Sequence, residues 1–285
     1  MPAEGWPEAP APLAAPVIDT HTHLDVHDRH LHGDVQPDPE ELLARAREVN
    51  VTKVVQIGCD LESAEWSVAM AQDHPEVVVG VALHPNDAAR MVERHGHSAI
   101  ERAWERIDAL ARDHTVRAVG ETGLDYYRTR DADGHAVQQE SFRWHIALAT
   151  ELDKTLVIHD RDSHDDVIRL LVEAGPPRTV VFHCFSGDAA MARICAQNGW
   201  YMSFAGVVTY TNAQELRDAL AEVPDDLLLV ETDAPYLTPV PHRGQVNASY
   251  LMPHTVRALA RERGVEEAVM ATTLYDNAQR AFGAW

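Results

Sequence analysis

The chain alternates short apolar runs with longer amphipathic segments along almost its whole length of 285 residues. The apolar runs are rich in Val, Ile, Leu and Phe, as strands buried on both faces of a parallel sheet are. They span residues 17–23, 53–58, 77–84, 118–125, 155–159, 179–185, 200–206 and 227–233. Eight strand–helix units in about 265 residues predict an α/β fold, a single (β/α)8 barrel of the TIM type.

The segments between these runs have the apolar spacing of helices. The predicted helices span residues 39–50, 62–73, 99–113, 137–153, 162–174, 188–198, 212–222, 249–263 and 265–282. Residues 87–98 and 126–135 are predicted as polar loops. The second possibility is a doubly wound sheet, but the place of its Gly-rich phosphate loop is taken here by His-Thr-His. We expect a flexible tail over residues 1–16 and one domain over residues 17–285.

The composition narrows the classes of partner. The net charge is −21, and the only lysines are Lys53 and Lys154. A broad basic face for duplex DNA or an anionic membrane is therefore not expected, although nucleic acid held locally at a metal site remains compatible with this charge. Three cysteines without a Cys-x-x-Cys spacing indicate free thiols in a reducing cytoplasm. For the oligomeric state, a monomer is favoured.

His21 and His23 end the first apolar run. Residues i and i+2 of a strand point to the same side, so the two imidazoles form a natural chelating pair for a divalent metal ion. The pair by itself is weak support, because the chain has 17 histidines and this spacing also arises by chance. Its meaning depends on ligands at matching positions of other strands.

Such ligands follow the other predicted strands. The carboxyl ends of the fourth, fifth, sixth and eighth strands carry Glu121, His159, His183 and Asp233. In a TIM barrel these ends form the active face. Four imidazoles and two carboxylates suit two divalent ions, Mg, Mn or Zn, with Glu121 as the bridge. His21, His23 and Asp233 then complete one metal site, and His159 and His183 the other. Both lysines lie at the opposite ends of strands, so neither can supply a carbamylated bridge.

Roles in a reaction follow from the same positions. Asp233, at the end of the last strand, is predicted to bind metal and to accept the proton of the attacking water, while Glu121 is also catalytic. We expect substrate contacts from His84, Arg128, Arg161 and Arg243, since guanidinium groups pair well with phosphate. A polar strand end for His84 and surface ion pairs for the arginines are the alternatives.

The longer motifs resemble those of the TatD-type metal-dependent deoxyribonucleases of the amidohydrolase superfamily. They read DTHTHLD from Asp19, LHP from Leu83, GETGLDYY from Gly120, IH from Ile158, HCFSG from His183, ETDAPYL from Glu231, PVPHRG from Pro239 and NA from Asn277. The resemblance covers residues 17–283. It departs from the family in Asp160 and in a longer segment before Val17, neither of which is a ligand position.

This resemblance implies a TIM barrel with two divalent metals that hydrolyses phosphodiesters, often as a 3'-to-5' exonuclease on single-stranded DNA by a metal-activated hydroxide. Two alternatives remain open from the residues. A metal-dependent amidohydrolase or esterase acting on a small molecule or an aminoacyl ester would use the same ligands. A non-catalytic metal-binding scaffold would need only four ligands and no open position.

Overall fold

The fold places its strands in chain order. A computed structural model describes residues 6–27 and 38–285. Eight strands form one sheet in the order β1 to β8, and each strand pair with an assigned register is parallel. The strands are β1 Val17–Thr22, β2 Val51–Gly58, β3 Val77–Val81, β4 Val116–Asp125, β5 Thr155–Arg161, β6 Val180–Phe182, β7 Tyr201–Phe204 and β8 Leu228–Val230. The predicted (β/α)8 class is confirmed, and the doubly wound alternative is wrong, because that fold does not keep its strands in chain order.

Helices alternate with these strands over the described residues. They are α1 Pro39–Glu48, α2 Leu61–Ala71, α3 Pro85–His95, α4 His97–Ala111, α5 Ala132–Glu151, α6 His164–Ala174, α7 Ala189–Gln197, α8 Gln214–Glu222, α9 Met252–Arg263 and α10 Glu267–Phe282. Short 3-10 turns cover Gly206–Thr209, Asp225–Leu227 and Ser249–Leu251. Among these helices, none is both long and apolar enough to cross a membrane.

Aspartates fix where several helices begin. Asp38, Asp60, Asp131 and Asp188 each accept a hydrogen bond from a backbone N–H in the first turn of α1, α2, α5 and α7. These N–H groups have no partner inside the helix, so a capping carboxylate stabilises the start by about 1 kcal/mol. The sequence-predicted helices therefore begin within a few residues of the observed ones.

The structure corrects the prediction of a polar loop over residues 87–98. Residues Pro85–His95 form α3, and α4 begins at His97. Proline stands at the start of α3, where a missing N–H has no cost, and Nδ1 of His84 accepts from the N–H of Asn86. Pro85 therefore acts as a helix start signal. The predicted loop over 126–135 is likewise shortened, because α5 begins at Ala132.

Contacts divide the chain into two compact units. Unit 1 takes the described residues of Met1–Gln56 and Gly187–Arg280, and unit 2 takes Ile57–Ser186 and Ala281–Trp285. In unit 1, β1 and β8 are buried, as are Leu251, Val256 and Leu259. In unit 2, β3 and β5 are apolar at their centres, and β3, β4 and β5 pack with α4 and α5. The expectation of one domain over 17–285 stays a prediction.

The flexible tail over residues 1–16 stays a prediction, although residues 6–16 make contacts with unit 1, and residues 1–5 lie outside the described part of the chain. Leu13 is buried, and its N–H donates to Val49 O at 3.2 Å. Asn50 Nδ2 donates to Leu13 O at 2.6 Å, and Ala14 N donates to Glu267 Oε1 at 3.0 Å. These bonds satisfy backbone groups that an Ala- and Pro-rich segment cannot pair within itself, so the segment is held on unit 1.

Candidate functional site

Glu121, in the second half of β4, is the centre of a cluster in unit 2. Its Oε1 lies 2.5 Å from His159 Nδ1, 2.8 Å from His183 Nε2 and 3.5 Å from His84 Nε2. Its other oxygen, Oε2, accepts from the thiol of Cys59 at 3.5 Å. The side chain is almost fully buried, with 6 % of its area exposed. One carboxylate oxygen thus faces ring nitrogens from three different strand ends.

The charge of Glu121 is set by these neighbours. Burial alone raises the pKa of a carboxyl group, but His183, His84 and His159 outweigh burial and hold the pKa of Glu121 well below its ordinary value. Burial lowers the pKa of His84 to about 3, against the attraction of Glu121. His84 is therefore neutral at pH 7 and keeps a lone pair for a metal ion.

Asp125 supports the ring of His159. Its Oδ2 lies 3.4 Å from His159 Nε2 and accepts from Asn86 Nδ2 at 2.8 Å. Although burial disfavours its charge, the nearby ring of His159 and the hydrogen bonds from Arg128 N and Asn86 lower the pKa of Asp125 below its ordinary value. Burial lowers the pKa of His159, but Asp125 and Glu121 outweigh it and raise that pKa. The imidazole is thereby held between two ionised carboxylates, an arrangement that orients a ligand histidine.

Gly123 and His145 position the backbone that carries this cluster. Gly123 has a φ of +138°, and a Cβ at this position would lie 2.0 Å from His159 O. Only glycine therefore allows β4 to run this close to His159. His145 is fully buried on α5, where its Nε2 accepts from Leu83 N at 3.2 Å and its Nδ1 lies 2.8 Å from Ser141 O. Through Leu83, His145 fixes the backbone that carries His84.

A second cluster lies in unit 1. The ring centres of His21 and His23 lie 5.0 Å apart. Asp233 Oδ1 lies 3.4 Å from His23 Nε2 and 3.9 Å from His21 Nε2. The N–H of Asp233 donates to His21 O at 2.9 Å, and its φ of +52° is in the left-handed region that Asp tolerates better than most residues. Backbone pairing therefore brings the end of the chain's last strand to the two histidines.

Buried polar side chains hold this second cluster in place. Asp19 is fully buried and accepts from the N–H and the hydroxyl of Thr232 at 2.9 and 2.6 Å. Burial raises the pKa of Asp19 to about 7, although these bonds act in the opposite direction. Gln56 accepts from Leu24 N and donates to Asp25, both at 2.7 Å. The segments on both sides of His21 and His23 are thus fixed.

Both clusters suit divalent metal ions. In unit 2, the donor atoms of His84, Glu121 and His159 all lie within 4.8 Å of one another. In unit 1, the Nε2 atoms of His21 and His23 lie 3.9 and 3.4 Å from Asp233 Oδ1. Mixed imidazole and carboxylate ligands are typical of Zn, Mn and related ions. Lys154, by contrast, donates to Val116 O at 2.6 Å, at the start of β4 and away from the strand ends that carry the ligands.

The predicted substrate residues have different surroundings. His84, expected to contact substrate, lies among the candidate metal ligands of unit 2. Arg161 is exposed with its guanidinium 4.1 Å from the ring centre of Tyr127, and Arg243 is 4.3 Å from that of Tyr210. Arg128 is exposed, and its N–H donates to Asp125 Oδ1 at 2.8 Å. Substrate contact by the three arginines stays a prediction.

Sequence reasoning missed several residues of these clusters. Asp125 could have been found, because it follows Glu121 by four residues and so shares its side of β4. Cys59, Asn86 and His145 contact the cluster or its backbone from other elements. Nothing in their local sequence indicates these contacts.

The proteins most similar in sequence are named as hydrolases. The family model described as TatD related DNase matches residues 18–283. A metal-dependent hydrolase named TatD from Mycobacterium tuberculosis is 45 % identical over 272 residues, which are 94 % of this chain and 98 % of the relative. YabD of Bacillus subtilis, also named a metal-dependent hydrolase, is 35 % identical over 93 % of this chain and 98 % of its own.

Solved structures agree with the sequence comparison. The crystal structure of YjjV, a TatD homologue from Escherichia coli K12, superposes with a TM-score of 0.83 and 29 % identity, covering 94 % of this chain and 98 % of that one. The fold and its ligands therefore define a metal-dependent hydrolase with a (β/α)8 barrel. Within that class, the chain belongs to the TatD family.

Proposed function

We propose that the protein is a divalent-metal-dependent phosphodiesterase that acts as a deoxyribonuclease, removing nucleotides from the 3' end of single-stranded DNA. The observation that carries the proposal is the convergence of three imidazoles on Oε1 of Glu121. A buried carboxylate and neutral imidazoles bind divalent ions, and divalent ions suit an anionic substrate that a chain of charge −21 would otherwise repel.

The residues take separate roles in this proposal. Glu121, His84, His159 and His183 would hold one ion, and His21, His23 and Asp233 would hold a second. Bound ions would neutralise charge on the phosphate and lower the pKa of the attacking water. Asp233 would accept the proton of that water, and Asp125 keeps the ring of His159 in a fixed orientation.

Binding the phosphates of the substrate also requires positively charged side chains. Arg128 and Arg161 in unit 2 and Arg243 in unit 1 are exposed, and their guanidinium groups suit phosphate oxygens. We propose that these arginines contact the phosphates of the single-stranded DNA. The DNA is then held locally rather than along a broad basic face. We further propose that the protein acts in the cytoplasm, where its three thiols stay reduced.

The test uses metal-depleted protein that is refilled separately with Mg, Mn or Zn. Each sample is assayed on 5'-labelled and 3'-labelled single strands, beside a carboxylic ester and an amide substrate, and its metal content is measured. The proposal expects two ions per chain and metal-dependent release of mononucleotides from the 3' end. Hydrolysis of the ester or the amide alone would contradict it and favour an amidohydrolase or esterase. Metal binding without any hydrolysis would favour a non-catalytic scaffold.

A further inference from the structure

The turn between β4 and α5 carries an exposed aromatic ring with two arginines beside it. Tyr127 is 47 % exposed, and the guanidinium carbons of Arg161 and Arg130 lie 4.1 and 5.8 Å from its ring centre. At these distances a cation is attracted by the face of an aromatic ring. Arg130 Nε also donates to Tyr127 O at 3.1 Å. Tyr127, Arg130 and Arg161 therefore form one group in unit 2, the arginine–tyrosine cluster.

Buried hydrogen bonds fix the turn that carries this cluster. Thr129 Oγ1 donates to Asn86 Oδ1 and accepts from Gln138 Nε2, both at 2.9 Å. Gln138 is fully buried, and its Oε1 accepts from Asp125 N at 2.9 Å. Arg128 N donates to Asp125 Oδ1 at 2.8 Å. A turn held in this way loses little conformational entropy when a ligand binds to its exposed side chains.

The pairing of β4 with β5 places the arginine–tyrosine cluster beside the metal-ligand cluster of unit 2. In this register Gly123 is opposite His159, and Asp125 is opposite Arg161. Tyr126 N donates to Arg161 O at 3.0 Å, so the two strands stay paired up to the turn. Arg161 follows His159 by two residues, which is about 6.6 Å along a strand. The exposed arginines thus begin where the candidate metal ligands end.

The positive charge of the cluster is available to an anion. Within the part of the chain that the structure describes, neither Arg130 nor Arg161 forms an ion pair with a carboxylate. By contrast, the exposed Arg106 and Arg112 each bond to a glutamate at 2.7 Å. In a chain of net charge −21, two neighbouring arginines without a carboxylate partner attract an anionic ligand. Guanidinium groups bind phosphate oxygens by charge-assisted hydrogen bonds.

We propose that the arginine–tyrosine cluster binds the phosphate of single-stranded DNA that lies next to the scissile phosphate on its 5' side. The inference rests on the proposed function, because removal of the 3'-terminal nucleotide leaves the remaining strand on the 5' side of the metal site. That function already includes a phosphate contact by Arg161. The cluster specifies which phosphate is bound, adds Arg130 as a ligand and makes Tyr127 the residue that positions both guanidinium groups.

The first test measures binding without metal, so that it is independent of hydrolysis. A fluorescently labelled oligothymidylate is titrated with metal-depleted protein over a series of salt concentrations, with anisotropy as the readout. Loss of one phosphate contact lowers the slope of log K against log salt by about 0.7, and we expect this change for Arg130→Gln and for Arg161→Gln. Arg143→Gln, at an exposed arginine of α5, is the matched control and should keep the wild-type slope.

The same titration tests the positioning role of Tyr127. Tyr127→Leu removes the aromatic face and should weaken binding about two- to fivefold, whereas Tyr127→Phe keeps that face and should bind as the wild type does. Metal content after reloading should equal that of the wild type in both variants, because neither change touches a candidate ligand. A wild-type salt slope in Arg130→Gln and Arg161→Gln, or equal affinities of the Leu and Phe variants, would overturn the proposal.

The second test uses metal-loaded protein and substrates that differ in one phosphate. They are a thymidine dinucleotide with the scissile phosphate alone, the trinucleotide, and a trinucleotide whose additional phosphate is a neutral methylphosphonate. The wild type should show its lowest KM on the normal trinucleotide, with similar kcat on all three. The double variant Arg130→Gln/Arg161→Gln should lose this preference, and Arg143→Gln should keep it.

Equal KM values of the wild type for the phosphate and the methylphosphonate would overturn the assignment of this phosphate, as would a preference that survives in the double variant. If none of the three substrates is cleaved, the proposed function fails. The salt series then still decides whether the arginine–tyrosine cluster binds the phosphates of a single strand.

Discussion

The carboxylates of the two candidate metal-binding clusters differ in burial and in their distances to imidazole nitrogens. In unit 2, Glu121 is the buried centre, and three imidazole nitrogens lie 2.5 to 3.5 Å from one of its oxygens. In unit 1, Asp233 is more exposed, with 15 % of its side chain accessible, and its Oδ1 lies 3.4 Å from His23 Nε2 and 3.9 Å from His21 Nε2. The shortest of these contacts belong to Glu121, which is also the more buried carboxylate.

This difference matches two tasks. A carboxylate that three imidazoles keep ionised is prepared to hold a cation, because its charge does not have to be created when the ion binds. A carboxylate with water access and longer contacts can change partners, as a group that accepts a proton must do. We therefore expect loss of Glu121 to act on metal binding, and loss of Asp233 to act on turnover.

The largest effect is expected for Glu121→Gln. Removing the negative charge from among three imidazoles should abolish metal binding in unit 2 and lower kcat/KM on the order of a thousandfold, as loss of a central electrostatic group does. Metal content by mass spectrometry and strand hydrolysis are the measurements. Glu140→Gln, an exposed glutamate of α5, is the matched control. Wild-type metal content in the Glu121→Gln variant would refute the central role of this carboxylate.

The next effect is expected for Asp233→Asn. Asparagine keeps the size and one ligand oxygen but cannot accept a proton, so kcat should fall by about 10²- to 10⁴-fold. KM and the metal content of unit 2 should change far less, and the circular dichroism spectrum should stay that of the wild type. Asp226→Asn, at an exposed aspartate before β8, controls for the loss of charge. Near wild-type turnover would show that Asp233 is not the proton acceptor.

Much of both clusters could be predicted because their residues follow the strand period. His21 and His23 are two residues apart, and Glu121, Gly123 and Asp125 continue the same alternation along β4. The parallel order of strands then predicts that the carboxyl ends carry the chemistry. The strand ends therefore predicted the residues expected to bind metal, but not that His84 would lie among the candidate ligands.

The supporting contacts could not be predicted, because they join positions far apart in the chain. Asn86 reaches Asp125 across 39 residues, and His145 reaches Leu83 across 62. Asn86 lies in α3, most of which the sequence predicts as a loop, and His145 is one histidine among several on predicted helices. Their roles depend on how helices pack on strands, and local sequence does not determine that packing.

A smaller effect is expected for Asp125→Asn, which tests how the unit 2 cluster is supported. The change keeps the shape but removes the ionised acceptor that faces His159 Nε2, so metal affinity or activity should fall about 10- to 100-fold. The measurements are metal titration and strand hydrolysis. Asp165→Asn, on the exposed side of α6, is the control. A variant with unchanged metal affinity and unchanged activity would mean that Asp125 only fills space.

The smallest effect concerns stability and again separates the units, because the buried, neutral His145 lies behind the cluster of unit 2. Burial lowers its pKa from 6.5 to about 3, so the unfolded chain takes up a proton below pH 6.5 that the folded protein refuses. The stability that His145 contributes is therefore complete above pH 6.5 and is lost as the pH falls towards 3. Between pH 7 and pH 5 this loss amounts to about 2 kcal/mol of unfolding free energy.

The test is urea unfolding over this pH range. The unfolding free energy of His145→Gln should depend less on pH than that of the wild type, whatever its value at pH 7. The pH dependence should be unchanged for His114→Gln, whose ring is 80 % exposed. Equal slopes in the wild type and His145→Gln would mean that His145 becomes protonated in the folded protein and does not fix Leu83 as a neutral acceptor.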